Sequence, residues 1–161
     1  MSAKKRLLDQ YDLHTLLFNN VLVDISEEES TVRLVPSINH VKWLAGHLVW
    51  GQRSLANMGG VIRDIVWLDH YNTQIPHPPG PEIPVPTLEQ IKAAWNEYAG
   101  PIRDGLEKLS QEALDTPVEF PMPAFRSQEG LWTFINDHQA YTIGQIGILR
   151  RALGKEAMKY F

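Results

Sequence analysis

The chain has 161 residues, 43% of them hydrophobic and 21% charged, with a formal net charge of −4 and no cysteine. That length suits a single domain over residues 1–161 with a substantial core. The acidic balance, without any basic stripe, argues against nucleic acid as the main partner. Lack of cysteine excludes disulfides, thiolate ligands and a cysteine nucleophile. With no apolar run long enough to span a bilayer and no signal-like start, the expected protein is cytoplasmic and does not engage a membrane.

A first helix is expected from about Lys5 to Val23, with Leu8, Tyr11, Thr15, Phe18 and Leu22 inward and Leu7, His14 and Val21 flanking. The polar exit DISEEES offers Ser26 as the cap of a short acidic turn, and Pro36 makes VRLVP an extended link. A second helix is expected from Ser37, as N-cap, to about Met58, closed by Gly59-Gly60. Its inward stripe holds His40, Trp43, Leu44, His47, Trp50 and Leu55.

Residues 61–86 form a long connection. VIRDIVWL reads as a short helix or an extended packing segment, and six prolines between residues 76 and 86 forbid regular helix. A connection of that length suggests an end-to-end crossover, which makes the second and third helices parallel. The third helix opens on the capping box Thr87-Leu88-Glu89-Gln90 and turns Leu88, Ile91, Trp95, Tyr98, Ile102, Leu106 and Leu109 inward, with a kink expected at Gly100-Pro101. A second loop follows, with a brief strand at Val118 to Phe120, and Ser127 caps a fourth helix that Gly154 ends. The expected fold is all-α, a four-helix bundle of up-down-down-up order.

The fourth helix carries the chemistry. Leu131, Phe134, Ile135, Tyr141, Ile148, Leu149 and Ala152 form its apolar face, into which His138, Thr142 and Gln145 are set at i, i+4 and i+7. His47 and His138 each lie about ten residues into their helices, ~15 Å from an end, and His14 about nine into the first. Three imidazoles at one height in a bundle interior are what zinc, nickel, iron or manganese needs, and such a site could activate water or a thiol. The plainer reading makes each histidine a hydrogen-bonded core residue. On that reading His40 is structural or sits at the pocket mouth, and His70 and His77 are solvated in the proline-rich loop. Trp50 lies within reach of His47 at i+3.

The stretch SINHVKWLAGHLVWGQ resembles the second helix of the DinB-like (DinB/YfiT) proteins, and DHQAYTIGQIGILRRALG resembles their last helix. The resemblance spans nearly the whole chain. It implies an up-down-down-up four-helix bundle, a homodimer, and a divalent metal held by one histidine of the second helix and two of the last. Carried over by residue, the ligands are His47 and His138, but the third position is Thr142, a poor transition-metal ligand. The set is then completed by water or substrate, by a replacement such as His14, or by no metal at all. The family's chemistry implies a thiol-dependent transferase or a metal-dependent hydrolase acting on a small molecule. Two other readings are a metal-free small-molecule-binding protein and a dimerisation module that has lost its site. Tyr141, Gln145 and Trp50 are the further pocket candidates.

Overall fold

A computed structural model describes residues 2–58, 65–73, 83–119 and 126–161, the side chains of residues 54, 57 and 58 aside. The described residues are all-α. Four long helices, α1 (Ala3–Val21), α3 (Val41–Met58), α4 (Leu88–Lys108) and α6 (Gln128–Ala152), are joined by the short helices α2 (Glu27–Ser30) and α5 (Gln111–Asp115). A 3₁₀ helix, η1 (Val66–Tyr71), follows α3. None of them is long and apolar enough to cross a membrane.

Caps set most of these boundaries. Ser26 and Glu29, and likewise Thr87 and Gln90, form reciprocal capping boxes at α2 and α4, and Ser127 caps α6 by accepting from Gly130 N–H. Gly154 stops α6 at φ +80, a left-handed conformation that suits glycine, while the Gly154 and Lys155 amides close back onto Arg151 and Arg150. α4 runs through Pro101 as one helix.

The start of α3 departs from the sequence expectation. Val35 to Ile38 close a tight turn, the Ile38 amide donating to Val35 C=O at 3.0 Å, so Ser37 lies in a turn and caps nothing. The cap is His40, whose Nδ1 accepts from Trp43 N–H at 3.1 Å. Burial holds its pKa below the usual histidine value, which keeps the imidazole neutral and able to accept. The segment expected as an extended link is therefore bent.

α1 packs on α4 and α6, and α3 on α4, α6 and η1. Phe18 stacks on Trp95 at 4.1 Å, and Tyr11 meets Trp132 edge-on at 6.0 Å, all four rings buried. Lys4, at the start of α1, donates to the carbonyls of Glu107 and Leu109 at the end of α4. Asn19, near the end of α1, exchanges side-chain hydrogen bonds with Asn96. Glu27 accepts from Lys42 Nζ at 2.6 Å and from Leu88 N–H at 2.7 Å, drawing the starts of α3 and α4 together. Asn136 donates to Leu7 C=O and Arg150 to Val21 C=O, the same offset of 129 residues in both.

Helix faces are rotated from their expected settings. On α1 the buried line is Leu7, Tyr11, His14, Phe18 and Val21, with Leu8 and Thr15 half-buried. On α6 Tyr141 and Ile148 are each 71% exposed, and the buried line is Trp132, Ile135, Gln139, Thr142, Ile146 and Leu149. Val118 makes only a ladder-like bond to Arg126 C=O beside an isolated bridge between Pro117 and Ser127. Gly59-Gly60, residues 61–64, His77 with most of the proline-rich segment, and Phe120 lie outside the described residues.

Candidate functional site

On α3 the i, i+4, i+7 spacing of Trp43, His47 and Trp50 lines up three half-buried rings. Trp43 and Trp50 stack on opposite sides of His47, at 5.0 Å and 5.2 Å with interplanar angles of 15° and 16°. His47 Nδ1 lies 3.0 Å from Tyr71 C=O, and because a carbonyl only accepts, Nδ1 carries the proton and donates. His47 Nε2 is then a bare lone pair, and it faces His138 Nε2 of α6 at 3.2 Å. Phe134, one turn before His138, stacks along its ring at 6.1 Å.

Two glycines of α3 permit this arrangement. A Cβ on Gly46 would stand 2.4 Å from ring atoms of Tyr71, so only glycine lets η1 lie close enough for the Tyr71 carbonyl to reach His47. Gly51 faces His138, where a Cβ would be at 3.8 Å, an ordinary contact. Sequence reading missed Tyr71 because a backbone carbonyl leaves no side-chain signature. The available signal was Gly46 itself, a helix-interior glycine directly before a histidine, where glycine costs ~1 kcal/mol against alanine.

The pair has two chemical uses. As neutral imidazoles it is one hydrogen bond, His138 Nε2–H donating to His47 Nε2. Alternatively both nitrogens point at one ion: two ligands each ~2.1 Å from a metal and 3.2 Å apart subtend roughly 100° at it, between the octahedral and tetrahedral values. A ligating histidine whose other nitrogen donates to a carbonyl is the usual supported form. The donor set therefore fits a two-imidazole site. Among the described residues no group of three or more His, Asp or Glu side chains converges.

The other candidates separate. Trp50 belongs to the site through its stack on His47. Thr142 is buried one turn beyond His138, and Gln145 is half-buried on the same side of α6. Tyr141 points outward at 71% exposed. His14 is buried, but the polar side chain it faces is Gln139, and it lines a groove shared by α1 and another face of α6. His70 is half-buried in η1, not solvated, and hydrogen-bonds Ile83 C=O through Nε2 at 2.9 Å.

Burial sets the electrostatics. It pushes the His138 imidazole down to about 4, with the neighbouring His47 adding to the effect, and it lowers His47 against the opposing Tyr71 hydrogen bond. His14 and His40 are lowered by burial too. All four therefore take up protons more readily unfolded, near the ordinary ~6.5, than folded. Stability contributed by the neutral imidazoles is fully present above that value and is lost as pH falls from there toward 4. The expected result is a thermal midpoint flat from pH 8 to 7 that drops steadily between roughly pH 6.5 and 4. A midpoint unchanged across that window would show that the imidazoles are accessible to protons in the fold.

The family profile of the DinB superfamily matches residues 10–146. No curated protein matches the chain.

Proposed function

The chain belongs to the DinB superfamily, and from that premise we propose that it is a metal-dependent enzyme whose His47 and His138 hold a divalent transition metal. The proposed architecture is an up-down-down-up four-helix bundle. Lys4 at the far end of α4 supports α1 and α4 running oppositely, Glu27 between the starts of α3 and α4 supports those two running together, and the constant α1–α6 offset supports a second parallel pair.

The observation that carries the metal is the 3.2 Å approach of two Nε2 atoms, that of His47 left without a proton because Nδ1 of the same ring donates to Tyr71 C=O. Bound there, zinc, nickel, iron or manganese would lower the pKa of a water or thiol and supply a nucleophile at neutral pH, as thiol-transferase or hydrolytic chemistry requires. The protein's own contribution is orientation. Tyr71 fixes the His47 tautomer, Trp43 and Trp50 clamp its ring and exclude water, and Phe134 holds His138. Burial keeps both imidazoles neutral and ready to ligate. Thr142, one turn from His138, brings a hydroxyl suited to hydrogen-bonding a small-molecule substrate, and Gln145 extends that polar line.

A second reading, a metal-free small-molecule-binding protein with a degenerate site, is favoured by one observation: no third histidine or carboxylate joins the pair among the described residues. Metal content separates the two. Protein purified without chelator is expected to carry near-stoichiometric metal that disappears in His47→Ala. Saturation to a hundred times Kd should add about 2.7 kcal/mol of stability, roughly 5–10 °C for a chain of this size. Protein that is metal-free and whose melting is unmoved by zinc, nickel or manganese would leave the binding-protein reading standing.

A further inference from the structure

Away from the histidine pair, α1, α6 and the segment after Gly154 enclose an open groove of about 420 Å³. Gly147 in its wall is nine residues beyond His138, which at 3.6 residues per turn places it on the opposite side of α6. The two sites do not share a face. Small residues open the groove: a Cβ on Gly144 would meet nothing within 4 Å, and one on Gly147 would only touch Val21 at 3.9 Å. Leu17, Ile148 and Met158 give it an apolar lining.

Its polar groups stand at two levels. At the floor His14 is 7% exposed, and its Nδ1 is sealed from solvent without a hydrogen bond in good geometry. Gln139, the amide facing it, is 1% exposed and equally unmatched at both of its polar atoms. Nδ1 being sealed, Nε2 is the ring nitrogen left to meet an occupant of the groove. At the other end stands Arg151, exposed and without an acidic partner among the described residues. The α1–α6 offset of 129 residues puts His14 level with residue 143. Arg151 is eight residues further along α6, hence ~12 Å away along the axis.

We propose that this groove is a second binding site, for a small amphipathic organic anion lying along α6. Its carboxylate pairs with Arg151, its apolar body crosses Gly144 and Gly147 against Leu17 and Met158, and its far end reaches His14. A polar atom at that end hydrogen-bonds His14 Nε2, with the Gln139 amide buried beside the ring. The volume lies within the usual range for small-molecule sites, ~300–1,000 Å³, and an apolar cleft with a few convergent polar groups is their usual composition.

The test is calorimetric titration of the intact protein with octanoate, 8-hydroxyoctanoate and octanol. Octanoate is expected to bind more tightly than octanol. Arg151→Gln should weaken octanoate about tenfold and leave octanol unchanged, the effect of one charge-assisted contact. The 8-hydroxyl should add about fivefold in the wild type and nothing in His14→Leu. Gly144→Leu, at an exposed position with open space for its side chain, should abolish binding of all three with circular dichroism unchanged. Octanoate and octanol binding alike, or Gly144→Leu binding as wild type does, would overturn the proposal. So would absence of binding together with a dimer in sedimentation that Gly144→Leu splits, since the groove is then filled by a second copy of the chain.

Discussion

Gly46→Ala is expected to destabilise the protein by about 1–3 kcal/mol, the usual cost of overpacking, and to weaken metal binding by about 10–100-fold. Two effects of opposite sign compete. Alanine in a helix interior is favoured over glycine by ~1 kcal/mol, but its Cβ would fall 2.4 Å from Cε1 and Cζ of Tyr71 and 2.6 Å from Cδ1. The ring cannot swing clear, because Tyr71 is 2% exposed and held between Trp43 at 6.5 Å and Trp67 at 5.9 Å. The clash therefore wins, and η1 must move as a unit. Its movement draws the Tyr71 carbonyl from His47 Nδ1, frees the imidazole to take the other tautomer, and spoils the lone pair aimed at His138. Gly51→Ala is the matched control: its Cβ would make ordinary contact with His138, so only the helix-propensity gain remains and stability should hold or rise. Thermal melts and zinc titrations of both variants decide the matter. Equal melting and equal zinc affinity for Gly46→Ala and wild type would show that Tyr71 does not position His47.

Local signals located the long helices well. Ser26, Thr87, Ser127 and Gly154 act where they stand in the sequence, since a cap is a bond between residues three or four apart. Ser37 failed because Pro36 favours a turn, and the bond that does cap α3 comes from a histidine, a residue outside the usual capping set. Helical periodicity gives the width of a buried stripe but not its direction, which neighbouring helices decide. Tyr141 and Ile148 thus read as core yet face outward, while Asn136, Gln139 and Arg150 face inward. Asn136 and Arg150 find partners on α1, more than a hundred residues away in sequence. The same distinction separates the histidines. Counting residues from each helix start put His47, His138 and His14 at one level, but the offset between α1 and α6 sets His14 level with residue 143, five residues past His138, and it looks into a different seam.

Arg150 is where that long-range satisfaction matters most. The sequence shows it as half of a basic pair with Arg151, yet Arg150 is 5% exposed and its neighbour lies open. Its guanidinium donates to Val21 C=O and Val23 C=O at the end of α1 and to Glu156 C=O beyond α6, so one side chain ties three segments together. The carbonyls at a helix C-terminus lack helical partners and carry partial negative charge, which is why a buried cation is stable there. Arg150→Met keeps the apolar stem and removes the donors. With hydrogen bonds to a charged group contributing roughly 1.5–3 kcal/mol each and some carbonyls rehydrating, the expected loss is about 3–5 kcal/mol. At 2–4 °C per kcal/mol the melting point should fall by roughly 6–20 °C. Lysine should not rescue it, because a single ammonium cannot reproduce the planar fork that reaches carbonyls on both sides. Arg151→Met, at an exposed position, should melt within about 0.5 kcal/mol of wild type. Freed from Glu156 C=O, the tail should also become a faster tryptic substrate at Lys155 and Lys159 in Arg150→Met, and the groove should lose the wall that Met158 and Tyr160 supply. An Arg150→Met protein that melts with the wild type and resists trypsin equally would mean that water replaces the guanidinium at no cost, and that the tail's other contacts, the Lys155–Glu29 ion pair and the Asn20 bond to Lys159 C=O among them, suffice to hold it.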